Sequence, residues 1–130
     1  MSRFGEMLAG YGEMSNEERQ QLQRQLEDEG VFGFPILFHA ARLTYRAEEY
    51  RDSPLATRLK GLHELREDTV NRKEVLSEDR KEMTRAGHAG QPSHAQSEEG
   101  LRRVDQHIAD LDAILEFIDE GIQRLERERP

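Results

Sequence analysis

The sequence predicts an all-α protein: a long antiparallel helical hairpin of coiled-coil character, preceded by two shorter helices. The pattern behind this lies between Leu101 and Leu125. Apolar residues there fall at Leu101, Val104, Ile108, Leu111, Leu115, Ile118, Ile122 and Leu125, stepping alternately by three and four. Such an a/d heptad stripe marks a helix that packs along its length on another helix. Charge spacing points to the partner. With Leu101 at position a, the e positions hold Asp105, Asp112, Asp119 and Glu126, and the upstream segment Pro54–Ala86 carries Arg66, Lys73 and Arg80 at the same seven-residue interval. Folding the chain back near Gln91 and Pro92 sets Arg80 against Asp105, Lys73 against Asp112 and Arg66 against Asp119. The same register faces Met83 with Leu101, Leu76 with Ile108, Thr69 with Leu115 and Leu62 with Ile122. Exposed ion pairs stabilise weakly, so these charges select the register while apolar burial holds it.

From the N-terminus, Phe4, Met7, Leu8 and Tyr11 form an i, i+3, i+4, i+7 set, but Gly5, Gly10 and Gly12 weaken any helix. Residues 1–14 are therefore expected as a flexible or marginally helical arm, outside a single helical domain of residues 15–130. Ser15 and Glu18 have the spacing of a capping box, which starts a mostly polar helix over about 16–29 that stops at Gly30. Three of the five phenylalanines, Phe32, Phe34 and Phe38, then fall within Val31–Phe38. Pro35 suits the first turn of a second helix, over about 35–51. Ile36, Ala40, Leu43, Ala47 and Tyr50 would give that helix one packing face. Asp52, Ser53 and Pro54 open the third helix, 54–86, whose weak point is Gly61. Gly87–Gln96 reads as a loop. Ser97 is a cap for the last helix, 97–129, with Glu98 and Glu99 in its first turn and Arg124, Arg127 and Arg129 near its end, as the macrodipole favours.

Composition narrows the function classes. The chain has 130 residues, 35% of them charged, with mean hydropathy -0.92. Two helices longer than thirty residues cannot bury a core alone, so the N-terminal helices or another chain must cover their flanks. The net charge is -8 and no segment is uniformly basic, which disfavours nonspecific nucleic-acid binding. There is no cysteine, hence no disulfide or thiolate metal site. No segment has the apolar length of a membrane span or a signal peptide, so a cytoplasmic location, or a virion if the source is viral, is the default expectation.

No catalytic motif emerges: neither a Gly-x-Ser-x-Gly turn nor a Gly-rich phosphate loop occurs. His63 with Glu67 and His107 with Asp110 have helical spacings that can present two metal ligands, but the hairpin register holds the two pairs far apart. No cofactor is expected. The last helix has more apolar surface than its partner can cover, with Ile114 and Phe117 outside the a/d stripe. The aromatic cluster Phe32, Phe34 and Phe38 can either plug the core or anchor a partner. The expected function is a non-enzymatic assembly protein acting through exposed apolar helix faces: a structural subunit, an adaptor or a chaperone, viral or phage components included. Its partner would be protein, as a homo-oligomer or larger assembly, with Phe32, Phe34, Phe38, Ile114 and Phe117 at the contact. The alternative is a four-helix bundle that binds a metal or small ligand, with or without enzymatic activity.

Overall fold

The computed structural model describes residues 3–45, 52–88 and 94–128. Among them the chain is helical and contains no strand. A 3-10 turn, Tyr11–Glu13, precedes four α-helices: α1, Asn16–Asp28; α2, Phe34–Thr44; α3, Leu55–His88; and α4, His94–Arg127. The expected continuation of the second helix to Arg51 and the loop tip at 89–93 lie outside the described residues.

Local chemistry explains the boundaries. At the start of α1, the Ser15 hydroxyl accepts from the Glu18 backbone N–H, and the Glu18 carboxylate accepts from the Ser15 N–H, both at 3.1 Å. The Ser15 backbone N–H, and secondarily its side chain, holds the Glu18 carboxyl below the usual carboxylate range. This contribution is present above the ordinary carboxylate pKa and is lost as pH falls through the lowered one. At the other end, Gly30 takes a φ of 72°, Gly30 N–H bonds Glu27 O and Val31 N–H bonds Leu26 O. That is a Schellman ending, and its apolar pair, Leu26 and Val31, is buried. Helix α2 starts one residue before Pro35, capped by Gly33 with a φ of 83°. For α3, Pro54 supplies the carbonyl that accepts from Thr57 and Arg58, so it sits at the cap and not inside the first turn. Helix α4 starts at His94, ahead of Ser97, the expected cap.

Helices α3 and α4 pack on each other. Along them, Arg66 Nε lies 2.7 Å from Asp119, Lys73 Nζ 2.6 Å from Asp112 and Arg80 Nε 2.5 Å from Asp105. One residue number rises by seven as the other falls by seven, so the helices run antiparallel. Helix α2 packs on both, and α1 packs on α2. The core gathers Leu26, Leu37, Phe38, Leu59, Leu62, Leu111, Ile114, Phe117, Ile118 and Leu125.

The N-terminal segment differs from the expected arm. Phe4, Leu8 and Tyr11 are 0%, 0% and 3% exposed. The glycines do prevent a regular helix, since residues 3–10 form turns. Yet the apolar face of the segment still finds the core. Arg19 fastens it, donating to the carbonyls of Tyr11 and Gly12 and lying over the Tyr11 ring at 4.8 Å. Arg3 fastens it again, donating to Asp110 at 2.8 Å.

Two buried charged side chains tie elements together. Asp110, 1% exposed, accepts from Arg3, from the Phe32 backbone N–H at 3.0 Å and from Gln106 at 3.0 Å. It joins the N-terminus, the α1–α2 connection and α4. Arg58, 4% exposed, donates to the carbonyls of Leu43 at 2.8 Å and Thr44 at 2.9 Å, which caps the C-terminal end of α2 with a cation. Asp110→Ala would leave the partly buried Phe32 N–H without its acceptor, at a cost of about 1–3 kcal/mol. Arg3→Ala would lose a half-exposed partner and cost less than about 1 kcal/mol. Urea unfolding of the two variants should show that order, and equal losses would contradict the joining role of Asp110.

Candidate protein-interaction surface

The residues expected to anchor a partner lie mostly inside the chain. Ile114, Phe117 and Phe38 are 0%, 2% and 4% exposed. Phe32 and Phe34 are half-buried: Phe32 stacks on His107 with ring centroids 4.2 Å apart, and Phe34 meets Phe38 edge-on at 6.4 Å. These five side chains therefore plug the body of the protein and do not form a free apolar face. The physical reason is the close approach of the α1–α2 connection to α4. A Cβ on Gly33 would stand 3.2 Å from side-chain atoms of both Ile114 and Leu111. Glycine at this left-handed position lets the Phe32–Phe38 segment lie directly over the second apolar patch of α4.

The ion-pair residues Arg66, Lys73, Arg80, Asp105, Asp112 and Asp119 line one flank of the α3–α4 contact, with side chains between 38% and 51% exposed. The hydrogen bond from Arg80 to Asp105, reinforced by the opposite charge, raises the guanidinium above its usual value, so it stays charged throughout the working pH range.

The metal-spaced pairs are not brought together. His63 and Glu67 are exposed on α3. His107 is engaged with the Phe32 ring, and Asp110 with Arg3, Phe32 and Gln106. Among the described residues no three His, Asp or Glu side chains converge on one point. A cleft of about 440 Å³ lies between the Tyr11–Glu13 turn and the ends of α2 and α4, with Thr44, Tyr45, Arg58 and Arg124 on its wall. The Thr44 hydroxyl is buried without a hydrogen-bond partner among the described residues, and Arg124 lies over the Tyr45 ring at 5.2 Å. The hydroxyl is sealed from solvent, so it cannot greet a ligand as the cleft stands.

What remains open is the far half of the α3–α4 pair. On α3 no residue from Val70 to Thr84 is buried, and on α4 none from Glu98 to Ala109. That span nevertheless contains Val70, Val75, Leu76, Met83, Leu101, Val104 and Ile108. Leu76, Met83, Leu101, Val104 and Ile108 are half-buried, and Val75 is 60% exposed, the one exposed large apolar side chain among the described residues. At about 1.5 Å per residue the arm is roughly 20 Å long. It is the part of the molecule where apolar surface lacks a third layer. The sequence points to excess apolar surface at Ile114 and Phe117, the other end of the same stripe. The signal for the arm was present in the weak seam of α3, but only the placement of α2 shows which end it covers.

Comparison with protein-family models, curated proteins and solved structures found no match. No helix among the described residues is long and apolar enough to cross a membrane. The burial pattern separates two substitutions. Phe117→Ala, in the body, should cost about 3–5 kcal/mol in urea unfolding. Val75→Ala, on the arm, should stay within about 0.5 kcal/mol. A large loss at Val75 would mean that the arm packs on something within the chain.

Proposed function

We propose that the protein is a helical interaction and assembly module, non-catalytic, whose α3–α4 hairpin arm engages another polypeptide. The observation that carries the reading is the split along the hairpin. Its near half is closed by α1, α2 and the N-terminal segment, while its far half keeps an apolar seam with solvent on its flanks. A two-helix coiled-coil-like projection of this kind buries little on its own, and a third or fourth helix laid alongside completes it. The site of contact therefore moves from Phe32, Phe34, Phe38, Ile114 and Phe117 to the arm, around Val75, Leu76, Met83, Leu101 and Val104. A structural subunit, an adaptor and a chaperone all use such an arm. The charge distribution favours a protein partner over nucleic acid: both helices mix acidic and basic side chains along the arm.

A photoreactive benzophenone residue placed at Val75 tests this in the cells that make the protein, with the same residue at Arg24 on the exposed side of α1 as the control. A discrete adduct of higher mass is expected from Val75 and none from Arg24. Absence of any adduct at Val75 would remove the arm as an interaction surface.

A further inference from the structure

We infer that the arm is completed by a second copy of this chain, which lays its own α3 antiparallel on α3 about a two-fold axis between Val75 and Leu76. The inference rests on the arm being an interaction surface and names what binds there.

The face concerned can be followed along the helix. Gly61 receives the side chain of Leu43 from α2, since a Cβ there would stand 2.9 Å from Leu43 Cδ1. Steps of four and three from Gly61 reach Leu65, Asp68, Arg72, Val75 and Asp79. The first part of this face is covered by α2. The rest continues onto the arm, where Arg72, Val75 and Asp79 are all exposed. A helix taking over from α2 would find the same face with the same periodicity.

The charges identify that helix. Arg72 and Asp79 lie symmetrically about the Val75–Leu76 peptide, and neither side chain forms a hydrogen bond or ion pair with another described residue. Elsewhere on the hairpin Arg66, Lys73 and Arg80 do find partners. An antiparallel second α3 sets Arg72 against Asp79 of the other copy and, by symmetry, Asp79 against Arg72. Between these two ion pairs Val75 meets the second copy's Leu76, and Leu76 its Val75. One patch that is self-complementary in charge and in apolar content is the signature of an isologous contact. Four helices then form a bundle in which the half-covered seams share one core.

The experiment is absolute mass by light scattering on the full chain, from micromolar to millimolar concentration. The wild type should reach twice 15.1 kDa. Arg72→Asp alone and Asp79→Arg alone each place like charges opposite one another twice per dimer. Each should weaken dimerisation by about tenfold or more, with helicity unchanged. The double variant restores both pairs with reversed sign and should return to within about threefold of wild type. A wild type that stays monomeric throughout, single variants that dimerise like wild type, or a double variant without recovery would each overturn the inference. A monomer whose Val75 still crosslinks to a different protein would leave the interaction reading standing and this one refuted.

Discussion

The apolar stripe of α4 is wider than one helix can cover, and the architecture follows from that. Leu111, Ile114, Phe117, Ile118, Ile122 and Leu125 are all buried, although they span well over a third of the helix circumference. Helix α3 closes one side of this stripe. The other side needs a second layer, which α2, the Phe32–Phe34 connection and the N-terminal turns supply. Burial of each large side chain stabilises by about 1.5–3 kcal/mol, so leaving the second side wet would cost several such increments. That is why a segment with three glycines, poor in helix propensity, is nonetheless held in place: Phe4, Leu8 and Tyr11 bring apolar area that α4 and α2 require.

Polar groups decide how the second layer sits. Apolar contact alone would let α2 slide along the α3–α4 pair. Asp110 ties the Phe32 N–H to one level of α4, and Arg58 ties the α2 carbonyls of Leu43 and Thr44 to one level of α3. Both charged groups are buried and satisfied, which gives them a specificity that exposed ion pairs lack. Gly33 and Gly61 permit the close approach at the two ends of α2. The ladder of Arg66, Lys73 and Arg80 has a different task. It is exposed and weak, but it disfavours registers of α3 on α4 that are shifted by anything other than a heptad.

The functional reading grows out of where the second layer ends. Helix α2 is 11 residues long, whereas α3 and α4 are 34 each. Nothing of its length can cover both halves of the α3–α4 pair, and the covered half is the one with the richer apolar stripe. The uncovered half carries a thinner apolar seam and charged flanks. Arg72 and Asp79, on either side of Val75, are the most informative residues there, because neither charge is paired among the described residues.

Helix positions, the capping box of α1 and the stop at Gly30 follow from local pattern and were legible in the sequence. So was the pairing of Arg66, Lys73 and Arg80 with Asp119, Asp112 and Asp105, because the two rows share a seven-residue spacing and the short stretch of sequence between them favours this match over one shifted by a heptad. The fate of the apolar surplus was not legible. Periodicity shows that Ile114 and Phe117 need cover, but not whether Phe32, Phe34 and Phe38 of the same chain or another molecule provides it. That choice depends on whether the backbone at Gly33 can come close enough and whether Asp110 can hold it there, which are three-dimensional conditions among residues far apart in the chain. The same holds for the N-terminal segment, whose glycines argue for disorder locally while its contacts bury Phe4 and Leu8. The sequence by itself determined an all-helical protein with a surplus of apolar surface on its last helix. Only the tertiary structure decided which part of that surplus is core and which part remains as surface, because burial is a property of distances that spacing along a chain does not contain.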